Sequence, residues 1–174
     1  STTTSMALAD IPIEQLLTSG LKRLKVSLDA ATQQTYQDIR GLDLFDRVVD
    51  NIRHMAKSRM AHSLPHLCLQ VVIQSKNVFQ LSQIVELAHE LGVNAVSFRM
   101  VGLSGIEEKR DELLAGLTED TIICQMKKAM DMAKRVGMET NIAEEFRIQN
   151  SEFRIRGGMK MLSTESRGNT RDCS

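Results

Sequence analysis

The fold of this chain is set by one stretch, LKVSLDAATQQTYQDIRG (residues 24–41). Its first part alternates apolar and polar residues, with Leu24, Val26 and Leu28 on one side, which is typical of a strand with one buried face. Thr32 is a residue type that caps helices, and a helix is expected to follow it. A strand that leads directly into a helix indicates a β–α unit, the repeating element of parallel sheets.

Three further segments have the composition of strands. Residues 67–73 (LCLQVVI) form a nearly continuous apolar run, typical of a parallel strand that is covered on both faces. Residues 95–101 (AVSFRMV) predict another strand, and residues 138–142 predict a short last one. Because helical patterns separate these segments, the sequence predicts an α/β fold with a parallel sheet and right-handed crossovers. Four strands cannot close an eight-stranded barrel, so an open sheet or an arc of a barrel is expected.

The predicted helices carry residues that favour their starts and ends. Asn77 and Gln80 have a spacing similar to a capping box and predict the start of one helix. Thr118 predicts the N-cap of a later helix, and Gly137 predicts its end. Residues 1–5 (STTTS) would be the end of one more strand if the chain enters the sheet there.

Composition bounds the functional class. The 174 residues are 42% apolar, and the 22 basic and 22 acidic residues cancel. The formal net charge is therefore zero, and it does not favour binding to nucleic acid or to an anionic membrane. No apolar run is long enough to span a bilayer. No signal peptide opens the chain, and the three widely spaced cysteines fit a reducing compartment, so a cytoplasmic location is expected.

Polar residues follow the first long strand, where a binding site is expected. In parallel β–α folds the loops after the strands form the site, and Ser27 and Asp29 lie there at alternating positions. Asp29 offers acceptors to a ligand, and Arg40 offers a planar pair of donors suited to a carboxylate or phosphate. The alternative is structural: Asp29 would cap the next helix, and Arg40 would be a solvated cation at that helix's C-terminus.

Polar residues also interrupt the next two strands. Gln70 breaks the apolar run, and its amide needs as partner either a ligand or a neighbouring strand. Ser97 and Arg99 interrupt the following strand, and Arg99 is the stronger candidate because a guanidinium is rarely buried without a partner. The sequence contains no GxGxxG, P-loop, HExxH or GxSxG motif, and its histidines do not have metal-ligand spacing.

In order and spacing, these segments resemble radical S-adenosylmethionine enzymes. LKVSLDAATQQTYQDIRG followed by FDRVVDNI is similar to the fourth strand and following helices of that family. LQVVIQSKNVFQLSQIVELAHELGVNAVSFR is similar to its fifth strand, a helix and its sixth strand. The resemblance covers residues 1–142 and is closest to the branch with a C-terminal SPASM or twitch-type auxiliary cluster domain. It implies a partial (β/α) TIM-like barrel of six strands, of which this chain holds about strands three to six.

The resemblance also implies a cofactor site and a reaction. The residues implied in binding S-adenosylmethionine are Ser27, Asp29, Arg40, Gln70, Phe98 and Arg99. Ser27 and Arg40 would contact the methionyl part, and Gln70 with the end of the strand at residues 98–99 would face the ribose and adenine. The implied activity is reductive cleavage of S-adenosylmethionine at a [4Fe–4S] cluster, which starts hydrogen abstraction from a small-molecule or peptide substrate. An electron donor such as flavodoxin or ferredoxin is implied as a partner.

The chain departs from the family pattern in its metal ligands. The CxxxCxxC loop that holds the [4Fe–4S] cluster is absent from the sequence and would belong upstream of Ser1. No metal ligand is expected in the barrel part. Residues 143–174 are expected to form a charged helix and linker towards a C-terminal domain, and Cys173 is a candidate ligand of an auxiliary cluster. The chain is therefore expected to be the central part of a larger enzyme and to be inactive as given.

Two other functions stay open. A cluster-free α/β module would bind a nucleotide-like ligand or a partner protein, with Ser27, Asp29 and Arg40 in capping roles. A phosphate-binding (β/α)-barrel enzyme is disfavoured, because no glycine-rich loop opens a helix N-terminus.

Overall fold

The computed structural model describes residues 2–4, 13–58, 65–100 and 113–142. Five strands and five helices alternate in it. The strands are β1 (Thr2–Thr4), β2 (Arg23–Ser27), β3 (His66–Ile73), β4 (Ala95–Met100) and β5 (Glu139–Thr140). The helices are α1 (Ile13–Thr18), α2 (Gln33–Arg40), α3 (Phe45–Ser58), α4 (Leu81–Glu90) and α5 (Glu119–Val136), and a 3-10 turn at Val78–Gln80 leads into α4. None of the helices described combines the length and apolarity needed to cross a membrane.

The strands form one sheet in the order β1-β2-β3-β4-β5, and every neighbouring pair is parallel. Each strand thus lies beside the one before it in the chain. Right-handed crossovers between such neighbours place the connecting helices on one face of the sheet. The predicted α/β architecture is confirmed, and the sequential strand order is compatible with an arc of a (β/α) barrel.

The hydrophobic core lies between the helices and one face of the sheet. Leu24 and Val26 of β2 alternate with half-buried or exposed residues, as the sequence pattern predicted. The helices contribute stripes at a 3.6-residue spacing, including Ile52, Ile84 and Met126, each 0% exposed. The buried core positions of β3 and β4 are Leu67, Leu69, Val71, Ile73, Val96 and Phe98.

Strand β3 differs from its prediction of two covered faces. Gln70 and Val72 are only half-buried, while the alternate positions Leu69 and Val71 are 0% exposed. Among the residues placed by the structure, the helices pack on one face alone, so the other face of the sheet is left to polar and small side chains. That polar face carries the candidate site.

The predicted helix ends are confirmed in three places. The Thr32 and Thr118 side chains accept the backbone N–H of Thr35 at 3.4 Å and of Thr121 at 3.2 Å, as N-caps do. Gly137 ends α5 in the left-handed region at φ 68°, where its N–H donates back to the last turn. The capping-box prediction for Asn77 is wrong, because its side chain makes no cap hydrogen bond.

Candidate functional site

Ser27, Asp29 and Arg40 come together at the carboxyl end of β2. One guanidinium nitrogen, Nη2 of Arg40, donates to Ser27 Oγ at 3.0 Å and also to Asp29 Oδ2, with which it forms an ion pair. The Asp29 side chain is only 5% exposed, whereas that of Arg40 is 37% exposed. Arg40 therefore reaches from the last turn of α2 back over the strand end while one side of it faces solvent.

The second carboxylate oxygen of Asp29 forms a hydrogen bond to the neighbouring strand β3. Asp29 Oδ1 accepts the backbone N–H of Val72 at 2.8 Å, just beyond the last backbone pairing of β2 with β3, at Ser27 and Gln70. A side-chain oxygen thus takes the place of the backbone carbonyl that the next residue of a longer strand would provide. Both oxygens of Asp29 are engaged, one by β3 and one by Arg40.

These contacts bear on the structural alternative given above for Asp29 and Arg40. Asp29 does not cap α2, since the N-cap is Thr32. Arg40 does lie in the last turn of α2, but it is paired with a buried carboxylate and not simply solvated. The capping role considered for Asp29 is therefore wrong, whereas Arg40 does lie at the C-terminus of α2 as that alternative expected, and it is in addition paired with Asp29.

Residues 74–80, between β3 and α4, hold this cluster in place through the side chain of Asn77. Asn77 is 0% exposed, and its Nδ2 donates to the backbone carbonyls of Asp29 and Val72, both at 2.8 Å. Its Oδ1 accepts the N–H of Gln74 at 2.9 Å, so the buried amide makes three hydrogen bonds. The sequence singled out the Asn77–Gln80 spacing, but the partner that joins Asn77 to the cluster, Asp29, lies 48 residues away and gave no local signal.

Gln70 and Ser97 extend the cluster across the sheet. Ser27, Gln70 and Ser97 are register partners on three adjacent strands, so their side chains form one row on the polar face. Arg99 lies two residues beyond Ser97 on the same face and is exposed. The structure thus brings together five of the six predicted residues along the carboxyl-terminal half of the sheet.

Phe98 is the predicted residue that lies elsewhere. Its side chain is 0% exposed and packs in the core, on the face opposite to Ser97 and Arg99. Its backbone N–H and carbonyl are both bonded to the side-chain amide of Asn141, at 2.8 Å each. Alternation along the strand required this placement, since neighbouring residues of a strand point to opposite faces. Sequence reasoning missed the role of Asn141.

A cavity of about 590 Å³ lies on the polar face, towards the amino ends of the strands. Three cations line it, namely Arg23, Lys25 and Arg99, together with the carboxylate of Glu139. Glu139 Oε2 lies 3.2 Å from His66 Nε2, and no ion pair joins the three cations to another residue that the structure describes. The cavity is consequently suited to an anionic group.

The Cys68 thiol lies in the same cavity and is 5% exposed. Burial raises the pKa of this thiol above its ordinary value of 9.0, and the nearby Lys25 and Arg23 partly oppose that rise. Cys68 is therefore a protonated thiol at neutral pH and not a thiolate ligand.

The residues of the sheet and its helices do not fit an iron–sulfur cluster. Within the described ranges, no three His, Cys, Asp or Glu side chains are placed to hold a metal ion together. Cys173, the candidate ligand of an auxiliary cluster, and the segment 143–174 lie outside the described residues. The polar groups of Arg40, Ser27 and Gln70 do fit S-adenosylmethionine. A half-exposed guanidinium, a hydroxyl and an amide match its carboxylate, amino and hydroxyl groups.

Comparison with known proteins finds several similar proteins that carry the same name. The chain is 32% identical over 121 residues to the "Probable GTP 3',8-cyclase" of Saccharolobus islandicus strain Y.N.15.51, covering 68% of this chain and 38% of that protein. It is 31% identical over the same length to the protein of that name from Saccharolobus solfataricus, with the same coverage of both chains. It is 34% identical over 94 residues to that from Sulfurisphaera tokodaii, covering 54% of this chain and 29% of the relative.

The chain thus spans less than two fifths of the length of these curated relatives. No protein-family model matches it. The similarity supports the resemblance to radical S-adenosylmethionine enzymes that the sequence order suggested.

Proposed function

We propose that this chain forms the part of a radical S-adenosylmethionine enzyme that holds the methionyl end of the cofactor. The single observation that carries the proposal is the cluster of Ser27, Asp29 and Arg40. It lies at the carboxyl end of a parallel strand, where ligands bind in such folds, and it keeps a guanidinium half-open to solvent. The GTP 3',8-cyclase relatives support the same family.

The roles of the residues follow from their hydrogen bonds. Asp29 and Ser27 hold Nη2 of Arg40, which leaves Nη1 and Nε as donors for the carboxylate of S-adenosylmethionine. Gln70, the register partner of Ser27 in the polar row, would donate to or accept from the ribose hydroxyls. When bound at a reduced [4Fe–4S] cluster, S-adenosylmethionine supplies the chemistry that starts hydrogen abstraction, and in this proposal the cluster ligands are not among the residues described.

The substrate we propose is a nucleotide. Two features support it over a peptide: the relatives are named for GTP, and Arg99, exposed on the polar face near the carboxyl end of β4, is a cation available to a phosphate. Phosphate groups are recognised by such cations, whereas a neutral peptide backbone is not. A peptide substrate, as in the SPASM or twitch branch, is the competing expectation, and a competition experiment with GTP separates the two.

The wider setting is also a proposal. The barrel part would comprise residues 1–142, followed by a linker towards a C-terminal domain. An electron donor of the flavodoxin or ferredoxin kind would act on the enzyme in the cytoplasm. Iron and sulfide content of the full-length protein after anaerobic reconstitution tests this setting, since a cluster-free binding module would retain neither.

The test of the cofactor site is the Arg40→Ala variant. Loss of a charge-assisted, two-donor contact should weaken S-adenosylmethionine binding by about ten-fold or more. Arg53→Ala is the matched control, because Arg53 also pairs with an aspartate, Asp50, but on the exposed side of α3. Equilibrium dialysis with labelled S-adenosylmethionine measures both under reducing, anaerobic conditions. Equal affinities of the two variants would remove Arg40 from the site.

A further inference from the structure

Helix α2 carries Arg40 but has little apolar packing of its own. It has eight residues, fewer than an isolated helix needs for stability in water. Tyr36 is its one buried residue, and the ring of Tyr36 lies 5.9 Å from that of Phe45 on α3, centroid to centroid. One buried side chain in the core does little to fix the tilt and the axial position of a helix, so polar contacts contribute to where Arg40 lies.

Polar contacts from residues 76–80 hold both ends of α2. At the N-terminus, Gln80 Nε2 donates to the Oγ1 of Thr32, the N-cap, at 3.1 Å, and Gln80 Oε1 accepts the N–H of Ala31 at 3.1 Å. At the C-terminus, Lys76 Nζ donates to the backbone carbonyl of Asp38 at 2.6 Å. That carbonyl is one of the last four of the helix, which have no partner within it. Residues 76–80 therefore form hydrogen bonds at both ends of α2.

Asn77 lies between Lys76 and Gln80 in the sequence and holds the backbone of Asp29, the carboxylate that pairs with Arg40. Its amide joins the backbone carbonyl of Asp29 to that of Val72, so the turn after β2 is held against the end of β3. The carboxylate of the same Asp29 holds Nη2 of Arg40. A displacement of residues 76–80 would consequently move the helix that carries Arg40 and the aspartate that orients it.

We propose that Lys76, Asn77 and Gln80 are positioning residues that set the direction in which Arg40 presents its free donors to the ligand. This inference rests on the proposed function, in that the ligand is the carboxylate of S-adenosylmethionine. Two-donor recognition of a carboxylate by a guanidinium needs near-linear hydrogen bonds, which weaken steeply when the donor is turned away. The three residues act through Arg40 and do not themselves touch the ligand.

Lys76 and Gln80 are not fully buried, so variants at these two positions test the inference without leaving a buried cavity. Lys76→Met and Gln80→Met keep the length of each side chain and remove its hydrogen bonds to α2. Lys134→Met is the control, because Lys134 is an exposed lysine on α5 whose ion pair is with Asp131, one turn away on the same helix. Asn77→Ala is a harsher third variant, and its unfolding midpoint is recorded to show that it is folded.

The first measurement needs no ligand. Hydrogen exchange of the amides of α2 should become about two- to ten-fold faster in Lys76→Met and Gln80→Met, with α5 unchanged, because each removes one or two hydrogen bonds from the helix ends. Unchanged exchange in α2 would overturn the inference, whatever the protein binds.

The second measurement is the affinity for S-adenosylmethionine in single and double variants. Each single variant should bind about two- to ten-fold more weakly than the wild type, whereas Lys134→Met should bind equally. In an Arg40→Ala background, Lys76→Met should cause no further loss, because the residue acts through Arg40. A loss that is the same in both backgrounds overturns the positioning role and leaves the proposed cofactor site intact. If the wild type does not bind S-adenosylmethionine, the proposed function and the ligand of this inference both fail.

Discussion

Replacement of Asp29 gives a quantitative test of the cluster at the end of β2. In Asp29→Ala, the backbone N–H of Val72 loses the carboxylate oxygen that it contacts at 2.8 Å, and Arg40 loses its ion-pair partner. A hydrogen bond to a charged group contributes about 1.5–3 kcal/mol. The ion pair adds about 0–1 kcal/mol, because the Arg40 side chain is 37% exposed and solvent screens it. The expected loss of unfolding free energy is therefore about 3 kcal/mol.

Asp29→Asn separates the two contributions. The asparagine keeps an acceptor for the Val72 N–H and loses the negative charge that faces Arg40, so its cost should be about 1 kcal/mol. Asp50→Ala is the control, because Asp50 pairs with Arg53 on an exposed helix surface and is 69% exposed. Removing that surface pair should cost less than about 0.5 kcal/mol.

Urea unfolding followed by circular dichroism measures all three variants, with equal m-values as the check that the compactness of the states is unchanged. The order of destabilisation should be alanine, then asparagine, then the Asp50 control. If Asp29→Asn costs as much as Asp29→Ala, the charge and not the bond to β3 stabilises the strand end. If Asp29→Ala is indistinguishable from the control, the side-chain oxygen does not complete the sheet, and the reasoning is refuted.

Four further outcomes are expected. Asn141→Ala should destabilise the protein by about 1–2 kcal/mol and speed exchange of the Phe98 amide, since both backbone groups of Phe98 lose their 2.8 Å partner; unchanged exchange would contradict this. Gly41→Ala should lower stability by about 1 kcal/mol in thermal melts, because φ is +69° and nothing lies within 4 Å of the added methyl, so only backbone strain acts. Native Cys68 should react slowly with iodoacetamide at pH 8, and Lys25→Met should slow it further by removing a charge that lowers the thiol pKa; faster reaction would refute the electrostatic account. Because the folded pKa of Cys68 lies above 9.0, stability should fall as pH rises through 9, and Cys68→Ala should remove that part of the fall.

The repeating elements of the fold could be predicted because their signals are local. Alternation at Leu24 and Val26, and the caps at Thr32 and Thr118, depend on residues within a few positions of each other. The position of Ser27 and Asp29 at the carboxyl edge of the sheet also followed from the sequence, since parallel strands bring their carboxyl ends to one edge, whereas the register that aligns Gln70 and Ser97 with Ser27 did not.

The contacts that complete the cluster could not be predicted, because their partners are distant in sequence. Asn77 lies 48 residues from Asp29, and its spacing with Gln80 looked like a local cap. Asp29 similarly bonds to Val72, 43 residues away. For Phe98 the family resemblance placed a strand end at the ligand, whereas the period of two in a strand directs that side chain into the core.

Asp29 and Asn141, which follow β2 and β5, each make a hydrogen bond that a strand would otherwise make with its backbone, to Val72 and Phe98 respectively. The hydrogen-bonding rung at each of these places is thereby independent of the path that the chain takes next. An exit loop can be lengthened, shortened or replaced without unpairing the neighbouring strand, provided that the one side chain is kept. The exits of β2 and β5 are for that reason suitable places to graft new loops, provided that Asp29 and Asn141 are kept and that the contacts of Asn77 and Gln80 to residues 29–32 are preserved.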